Sequence, residues 1–312
     1  MNEIRAGGTD LGERRRSGVS RGPVRDLGRR PELSIVEWNG GNGGATIGAL
    51  VTIADLAADT RIGAGYPGLA AAADALATPQ IRRVATVGGN LLQRSRCWYF
   101  RHPATSCLKK GGTDCPARSG NHRYGVLFDL GPCVAAHPST LGAALLAYSA
   151  TVDTDRRAAL PVTELFGDGT VGTHDHRLEA DELLTRVTLP PPVAGERAAY
   201  FRAVSRTYAE WPLAEAVVRL GIDSGEDGGN GTVAWAAVAV GGVAPIPLRL
   251  PRVEAALVGQ PPTVAALAAA AGYAVEGANP LPMTSYKAAL LVGTVTEALE
   301  RAACVAEPAG RR

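Results

Sequence analysis

Aromatic side chains, cysteines and net charge are all scarce in this 312-residue chain. Phe, Trp and Tyr make up 5% of it against 46% hydrophobic residues in all, so the core has to be built from small aliphatic side chains. A formal net charge of +2 points to neither a polyanionic nor a strongly cationic partner. No long apolar run is present; Val264–Val275 falls well short of the roughly 20 residues a spanning helix needs. The opening Met1-Asn2-Glu3-Ile4-Arg5 has no apolar segment of the kind found in a signal peptide. Five cysteines without such a signal argue against a disulfide scaffold. These absences predict an ordinary soluble protein without a membrane partner. The expected compartment is the cytoplasm, or the periplasm if a partner carries the chain across.

What charge there is lies unevenly. Arg14-Arg15-Arg16, Arg21, Arg25, Arg29 and Arg30 crowd the first thirty positions. Interleaved aromatics are missing from this run, so a solvated helix face beside an anionic ligand is a better reading than a nucleic-acid patch. Glycine is plentiful, and two glycine pairs stand near apolar segments: Ala6-Gly7-Gly8-Thr9-Asp10 and Thr86-Val87-Gly88-Gly89-Asn90. Such pairs let backbone come close to a ligand and turn N–H groups toward phosphate oxygens.

Four of the five cysteines, Cys97, Cys107, Cys115 and Cys133, follow the second pair, with nine, seven and seventeen residues between them. Thiolates are soft ligands that suit iron–sulfur clusters or zinc. The spacing matches neither a zinc ribbon nor the bacterial ferredoxin run, so scattered reduced thiols and a zinc staple with a binding role both stay open from the residues alone. Arg96, Lys109 and Lys110 are placed to offset thiolate charge. His102, His122 and His137 read as ordinary hydrogen-bonded histidines rather than ligands.

The words around the cysteines carry a likeness. Leu91-Leu92-Gln93-Arg94-Ser95-Arg96-Cys97-Trp98-Tyr99-Phe100-Arg101, Cys107-Leu108-Lys109-Lys110 and Cys133-Val134-Ala135-Ala136-His137-Pro138-Ser139 resemble the FAD-binding subunit of the xanthine dehydrogenase and aldehyde oxidoreductase family of molybdenum hydroxylases. The branch is the one whose flavin subunit has an extra four-iron cluster. The resemblance implies an α+β fold: a two-subdomain FAD-binding fold of the PCMH type, then a small domain of antiparallel sheet and helices. It also implies FAD on Ala6, Gly7, Gly8, Thr9 and Asp10 and on Thr86, Gly88, Gly89 and Asn90, with diphosphate on backbone N–H groups of both turns. By the same resemblance Ser139 is expected to contact the flavin portion, although Thr140 stands where the family has an acid. A [4Fe-4S] cluster falls to Cys97, Cys107, Cys115 and Cys133, with Cys304 left out. The implied role is electron relay with no catalytic residue of its own, beside a molybdenum-cofactor large subunit and a [2Fe-2S] small subunit. Only five residues precede the first turn, where the family has a further strand and helix, so the first subdomain is expected to be short. A remnant that no longer takes FAD is the other reading this leaves.

The pattern places an FAD domain over 1–190, with its cysteine loop over 91–137, and a second domain over 191–312 beyond the Pro190-Pro191-Pro192 boundary. Strands are expected at Val24–Leu27, Leu33–Trp38, Ala45–Leu50, Asp129–Ala136, Thr151–Thr154 and Glu182–Leu189. Others are expected at Tyr200–Val204, Trp211–Ile222 and Val233–Val240. Thr52 should cap a helix over Ile53–Ala58, Pro67 should open one over Gly68–Ala77, and Thr9 or Asp10 should cap one after the first turn. Later helices are expected from Pro138 through Leu146, and over Val253–Val258, Val264–Ala271 and Tyr286–Cys304.

Overall fold

The computed structural model describes residues 3–40, 43–207, 209–223 and 231–303, so Cys304 lies outside the described residues. The chain begins in a parallel pair, β1 (Glu3–Arg5) against β2 (Val24–Asp26), with α1 (Leu11–Arg16) between them. So small a sheet buries little by itself. It closes through a cluster in which Ile4 and Ala6 pack on Leu27, Leu33, Leu50 and Leu183, the last two from the neighbouring subdomain.

That subdomain contains β3 (Val36–Trp38), β4 (Ala45–Gly48), α2 (Ile53–Ala58), α3 (Thr60–Gly65), α4 (Pro67–Asp74), α5 (Pro79–Arg82) and α6 (Val87–Leu91). After the cysteine loop, which holds the short α7 (Trp98–Arg101), come α8 (Thr140–Ala147), β5 (Thr151–Thr154), β6 (Leu160–Pro161), α9 (Val162–Phe166) and β7 (Leu184–Thr188). Its five strands run β3-β4-β7-β5-β6, every pair antiparallel. The helix starts are those the residues predict: Thr52 accepts from the Asp55 N–H, and Pro67 stands in the first turn of α4.

The rest of the chain is a second α+β unit. Here β8 (Arg197–Ala203), β9 (Ala214–Ile222), β10 (Val233–Gly241) and β11 (Leu248–Arg249) form an antiparallel sheet in the order β11-β10-β9-β8. The helices α10 (Pro251–Leu257), α11 (Val264–Ala271) and α12 (Tyr286–Ala303) pack on it through Leu257, Leu267, Leu291, Val295 and Leu299. The antiparallel sheets and the α+β class agree with the expectation.

Two features bind the units. All eight residues of α8 are buried, and its Leu141, Ala144 and Leu145 share one core with Tyr200, Val217 and Ala239 of the second sheet. Beside it, Arg219 donates from Nε and Nη2 to Glu196 at 3.0 and 2.6 Å, and its guanidinium lies 3.9 Å from the centre of the Tyr148 ring. Tyr148 donates in turn to Glu196 at 2.8 Å, so the buried charges are paired and their remaining hydrogen-bonding capacity is used.

Two expected strands need correction. Leu33–Trp38 is a strand only over β3, because Pro31–Leu33 turns as a 3₁₀ helix with Pro at its start. Asp129–Ala136 is not a strand, so Cys133 does not anchor its loop to a sheet. One isolated bridge joins Gly125 to Ala135, and the Leu127, Phe128 and His137 N–H groups go to the carbonyls of Val243 and Ala244 in the second unit. The apolar residues of Asp129–Ala136 pack rather than pair in a sheet: Leu130 lies against the second core, and Val134 and Ala136 join a small cluster with Ala117 and Val126.

Candidate functional site

The two glycine turns come together. Gly7 packs so tightly on the turn after α5, which leads into the second glycine pair, that an added Cβ would run into the Val84 carbonyl. Gly8 has φ +72°, the left-handed region that glycine enters without strain. Among the described residues, nothing accepts from the N–H groups of Gly7, Gly8, Thr9 or Asp10. The Asp10 side chain does not cap α1. Instead it accepts from Arg14 at 3.1 Å, Arg96 at 3.0 Å, Arg101 at 2.6 Å and the Arg94 N–H at 3.3 Å. Burial alone would raise its carboxyl, but Arg96, then Arg101 and Arg14, hold it below the usual value. Part of the arginine run is thereby spoken for: Arg14 also pairs with Glu3, and Arg15 reaches the Gly22 carbonyl.

In the second turn every N–H from Val87 to Asn90 is taken. Val87 donates to the Val51 carbonyl, Gly88 to Ala49, Asn90 to Thr86, and Gly89 to the Thr86 hydroxyl at 3.1 Å as the cap of α6. Gly88 is buried against Ala49, which explains its missing side chain. Gly89 is different: it is exposed, and an added Cβ would meet only Thr86 Oγ1, at 2.9 Å. Packing does not account for a glycine there. Asn90 turns toward Ser139: its Oδ1 accepts from the Ser139 hydroxyl at 2.8 Å and from the Leu141 N–H at 3.3 Å, while Ser139 Oγ caps α8 through Gly142 N–H at 2.9 Å. Asn90 and Ser139 thus form one constellation, and each has a structural duty in it.

The cysteine loop holds its four thiols free. Cys133 donates from its thiol to Cys115, which brings the Cys115 thiol down to about 5 and pushes that of Cys133 up. Burial raises the Cys97 thiol, and Cys107 and Cys115 add to that, so all four share one neighbourhood. Cations stand close by, since the charges of Lys109 and Arg118 are felt at Cys133 and at the Cys115/Cys133 pair respectively. Among the described residues no three His, Cys, Asp or Glu side chains form a group that could hold one metal ion. The histidine rings are occupied by hydrogen bonds. His102 Nδ1 accepts from Thr105, His122 bonds the Ala117 and Gly120 carbonyls and the Met283 N–H, and His137 links the Ser139 N–H to the Asp175 carbonyl. A buried Asp175 clamps the base of the loop, accepting from Lys109 at 2.8 Å and Arg94 at 2.6 Å. These cations override its burial and hold its carboxyl well below the usual range.

Between this loop, Pro138 and the second unit lies a cavity of about 480 Å³, walled by Arg96, Cys97, His137, Trp211, Glu215 and Lys287 among others. That volume is within the range of small-ligand pockets. Arg96 stacks on Trp211 at 4.3 Å from the ring centre, and its Nε is buried without a hydrogen-bond partner. Glu215 is fully buried and accepts from Thr140 and Tyr200 at 2.7 Å each; burial raises its carboxyl. Residue types and motif spacing point to neither Glu215 nor Lys287. One signal was available for Lys287: a lysine in the first turn of α12 stands against the helix dipole.

A family model described as the FAD binding domain in molybdopterin dehydrogenase matches residues 3–192, and one described as the CO dehydrogenase flavoprotein C-terminal domain matches residues 199–302. The FAD-binding subunit of the aldehyde oxidoreductase of Escherichia coli (strain K12) is 35% identical over 222 residues, 69% of this chain. The match spans 66% of that relative, just under two thirds of its length. The medium chain of carbon monoxide dehydrogenase from Hydrogenophaga pseudoflava is 27% identical over 281 residues, 89% of this chain and 80% of that one. A solved carbon monoxide dehydrogenase from the same organism, lacking the Mo-pyranopterin moiety of its cofactor, superposes with a TM-score of 0.72 at 25% identity, covering 96% of this chain and 89% of that one.

Proposed function

We propose that this chain, which belongs to the family of FAD binding domains in molybdopterin dehydrogenase, holds FAD and relays electrons to an acceptor within a molybdenum hydroxylase complex. The observation that carries the reading is the contrast in the paired turns: open N–H groups from Gly7 to Asp10 beside a bare, exposed Gly89. FAD would be held with its diphosphate on the N–H groups of the first turn. Gly89 would leave the space its backbone needs to approach, and Ala6 and Thr86 would shape the turns around it. Asn90 and Ser139 would help to hold the ring system, and Arg96 in the cavity wall, whose Nε is buried without a partner, would supply a hydrogen-bond donor for it. Bound FAD supplies a centre that exchanges one or two electrons. The chain's own work is to place it, keep water from it and set the charge around it.

The partners follow from the same reading: a molybdenum-cofactor large subunit and a [2Fe-2S] small subunit, with the organic substrate oxidised on the former. This chain is similar to relatives named as an aldehyde oxidoreductase subunit and a carbon monoxide dehydrogenase chain, which frames an aldehyde or a comparably small molecule as the substrate class. Cys97, Cys107, Cys115 and Cys133 would hold one [4Fe-4S] cluster. Neighbouring Lys109 and Arg118 would offset its negative charge.

Purified with its partners, the complex should contain one FAD and about four irons per copy of this chain beyond those of the small subunit. Cys115→Ser should remove those irons, and Cys304→Ser should leave them. Flavin-free wild-type complex would overturn the relay reading. Equal iron loss from the two variants, or zinc in place of iron, would overturn the cluster.

A further inference from the structure

Lys287 is 1% exposed, and its Nζ donates to the Gly242 carbonyl at 2.7 Å. An ammonium has three donors, and among the described residues nothing else accepts from this one. Burial pushes the amine down to about 7, with no carboxylate contributing to hold the proton. The position in the first turn of α12 adds to the cost, because that end of a helix disfavours cations. A buried, singly bonded cation is expensive, and proteins that keep one usually pair it. Of the other charged groups in the cavity wall, Arg96 is paired with Asp10 and Glu13, Glu210 accepts from the Arg206 N–H, Glu215 accepts from Thr140 and Tyr200, and Arg206 adds a second cation. The spare charge of Lys287 therefore faces whatever fills the cavity.

We infer that Lys287 raises the reduction potential of the flavin ring, its buried charge favouring the reduced form. This rests on the reading that the ring occupies the cavity. Adding two electrons and one proton to a flavin leaves it with one negative charge, and a fixed cation nearby favours that product. The plainer alternative is a post that only satisfies the Gly242 carbonyl, whose residue has φ +73° and directly follows β10. A neutral donor would serve that purpose as well.

The two are separated by Lys287→Gln, which keeps a donor without the charge, and Lys287→Arg, which keeps both. The full chain, in its FAD-loaded complex, is reduced anaerobically against a reference dye and the bound flavin is followed by absorbance. The glutamine variant should shift the reduced-to-oxidised ratio about tenfold toward oxidised, equivalent to about 30 mV for a two-electron couple. The arginine variant should stay within about twofold of wild type, roughly 9 mV on the same scale. An unmoved glutamine variant overturns the inference, as does an arginine variant that shifts as far as the glutamine one. So does loss of FAD from both variants while wild type retains it. A wild-type complex without FAD is a separate result, which removes the flavin reading itself and this inference with it.

Discussion

The two glycine turns are near copies in the sequence and near opposites in the structure. At the first, Gly7 exists because another part of the backbone lies where a side chain would be, and the N–H groups that follow it are left open. At the second, Val87 to Asn90 spend every N–H inside the fold, and the exposed Gly89 offers space rather than donors. A glycine pair therefore marks close approach without saying what approaches. In the first turn it is partly the protein itself. The division of labour that results, donors from one turn and clearance from the other, also ties each turn differently: the first by the Asp10 ion pairs, the second by the Asn90, Ser139 and His137 hydrogen bonds.

The strongest way to break this comparison is to add one methyl group at Gly7. Its Cβ would meet the Val84 carbonyl, which is backbone and cannot rotate away. Gly7→Ala should cost roughly 4 kcal/mol, the range reserved for severe strain or overpacking, and should release the first subdomain from the second turn. Gly88→Ala has its nearest contacts at 3.0 and 3.1 Å, on Ala49, and should cost about 1–2 kcal/mol. Urea unfolding of the three proteins checks the order. A Gly7→Ala protein as stable as wild type would show that the turns do not meet as described.

Acid should separate the two ties. Burial brings the His137 imidazole down to about 4 from its usual 6.5, against the pull of Asp175. Its neutral form is the one that accepts from the Ser139 N–H. The unfolded chain takes up this proton first, so the contribution is full above pH 6.5 and is lost as pH falls toward 4, by about 1.4 kcal/mol per unit. Summed over that window the loss is roughly 3 kcal/mol. Asp10 behaves otherwise: its carboxyl lies below the usual 3.8, so its contribution is present above that value and is lost only in stronger acid. Unfolding curves between pH 7 and 4 should therefore fall less steeply for His137→Gln than for wild type. Parallel curves would put the acid sensitivity elsewhere.

What could be read without coordinates was what depends on near neighbours in the chain. Thr52 is a cap because it stands just before a helical run, and β9, β10 and α12 have apolar patterns long enough to declare themselves. The family words around Cys97 and Cys133 pointed to the right family from local wording alone. The fate of a hydrogen bond or a charge was not legible, because it is decided across the fold. Asp10 looked like a cap and is instead the centre of an arginine cluster drawn from residues 14, 94, 96 and 101. Asp129–Ala136 had the composition of a strand, yet it is held at its flanks by the other unit, Leu127 and Phe128 on the Val243 carbonyl and His137 on that of Ala244. Lys287 was one polar position on an amphipathic helix until the packing of that helix placed it in a cavity wall.

The smallest expected change in stability carries the most information about the site. Gly89 is exposed, among the described residues the atom nearest its would-be Cβ outside the helix backbone is the Thr86 hydroxyl oxygen that caps α6, and it lies inside α6, where glycine is itself a poor helix former. Gly89→Val should therefore alter the unfolding free energy by no more than about 1 kcal/mol, with lost helix entropy and gained propensity nearly offsetting each other. Its effect on FAD should be out of proportion to that: a branched side chain fills the clearance on which backbone approach depends, so bound flavin should be lost from a protein that remains folded. Absorbance of the purified complex at the flavin bands, set beside its far-ultraviolet circular dichroism, gives both readings on one sample. If the variant keeps a full complement of FAD, the second turn does not face the cofactor, and the absence of a side chain at Gly89 needs another cause. If it loses FAD and fold together, Gly89 resembles Gly7 after all, and the contrast between the turns fails.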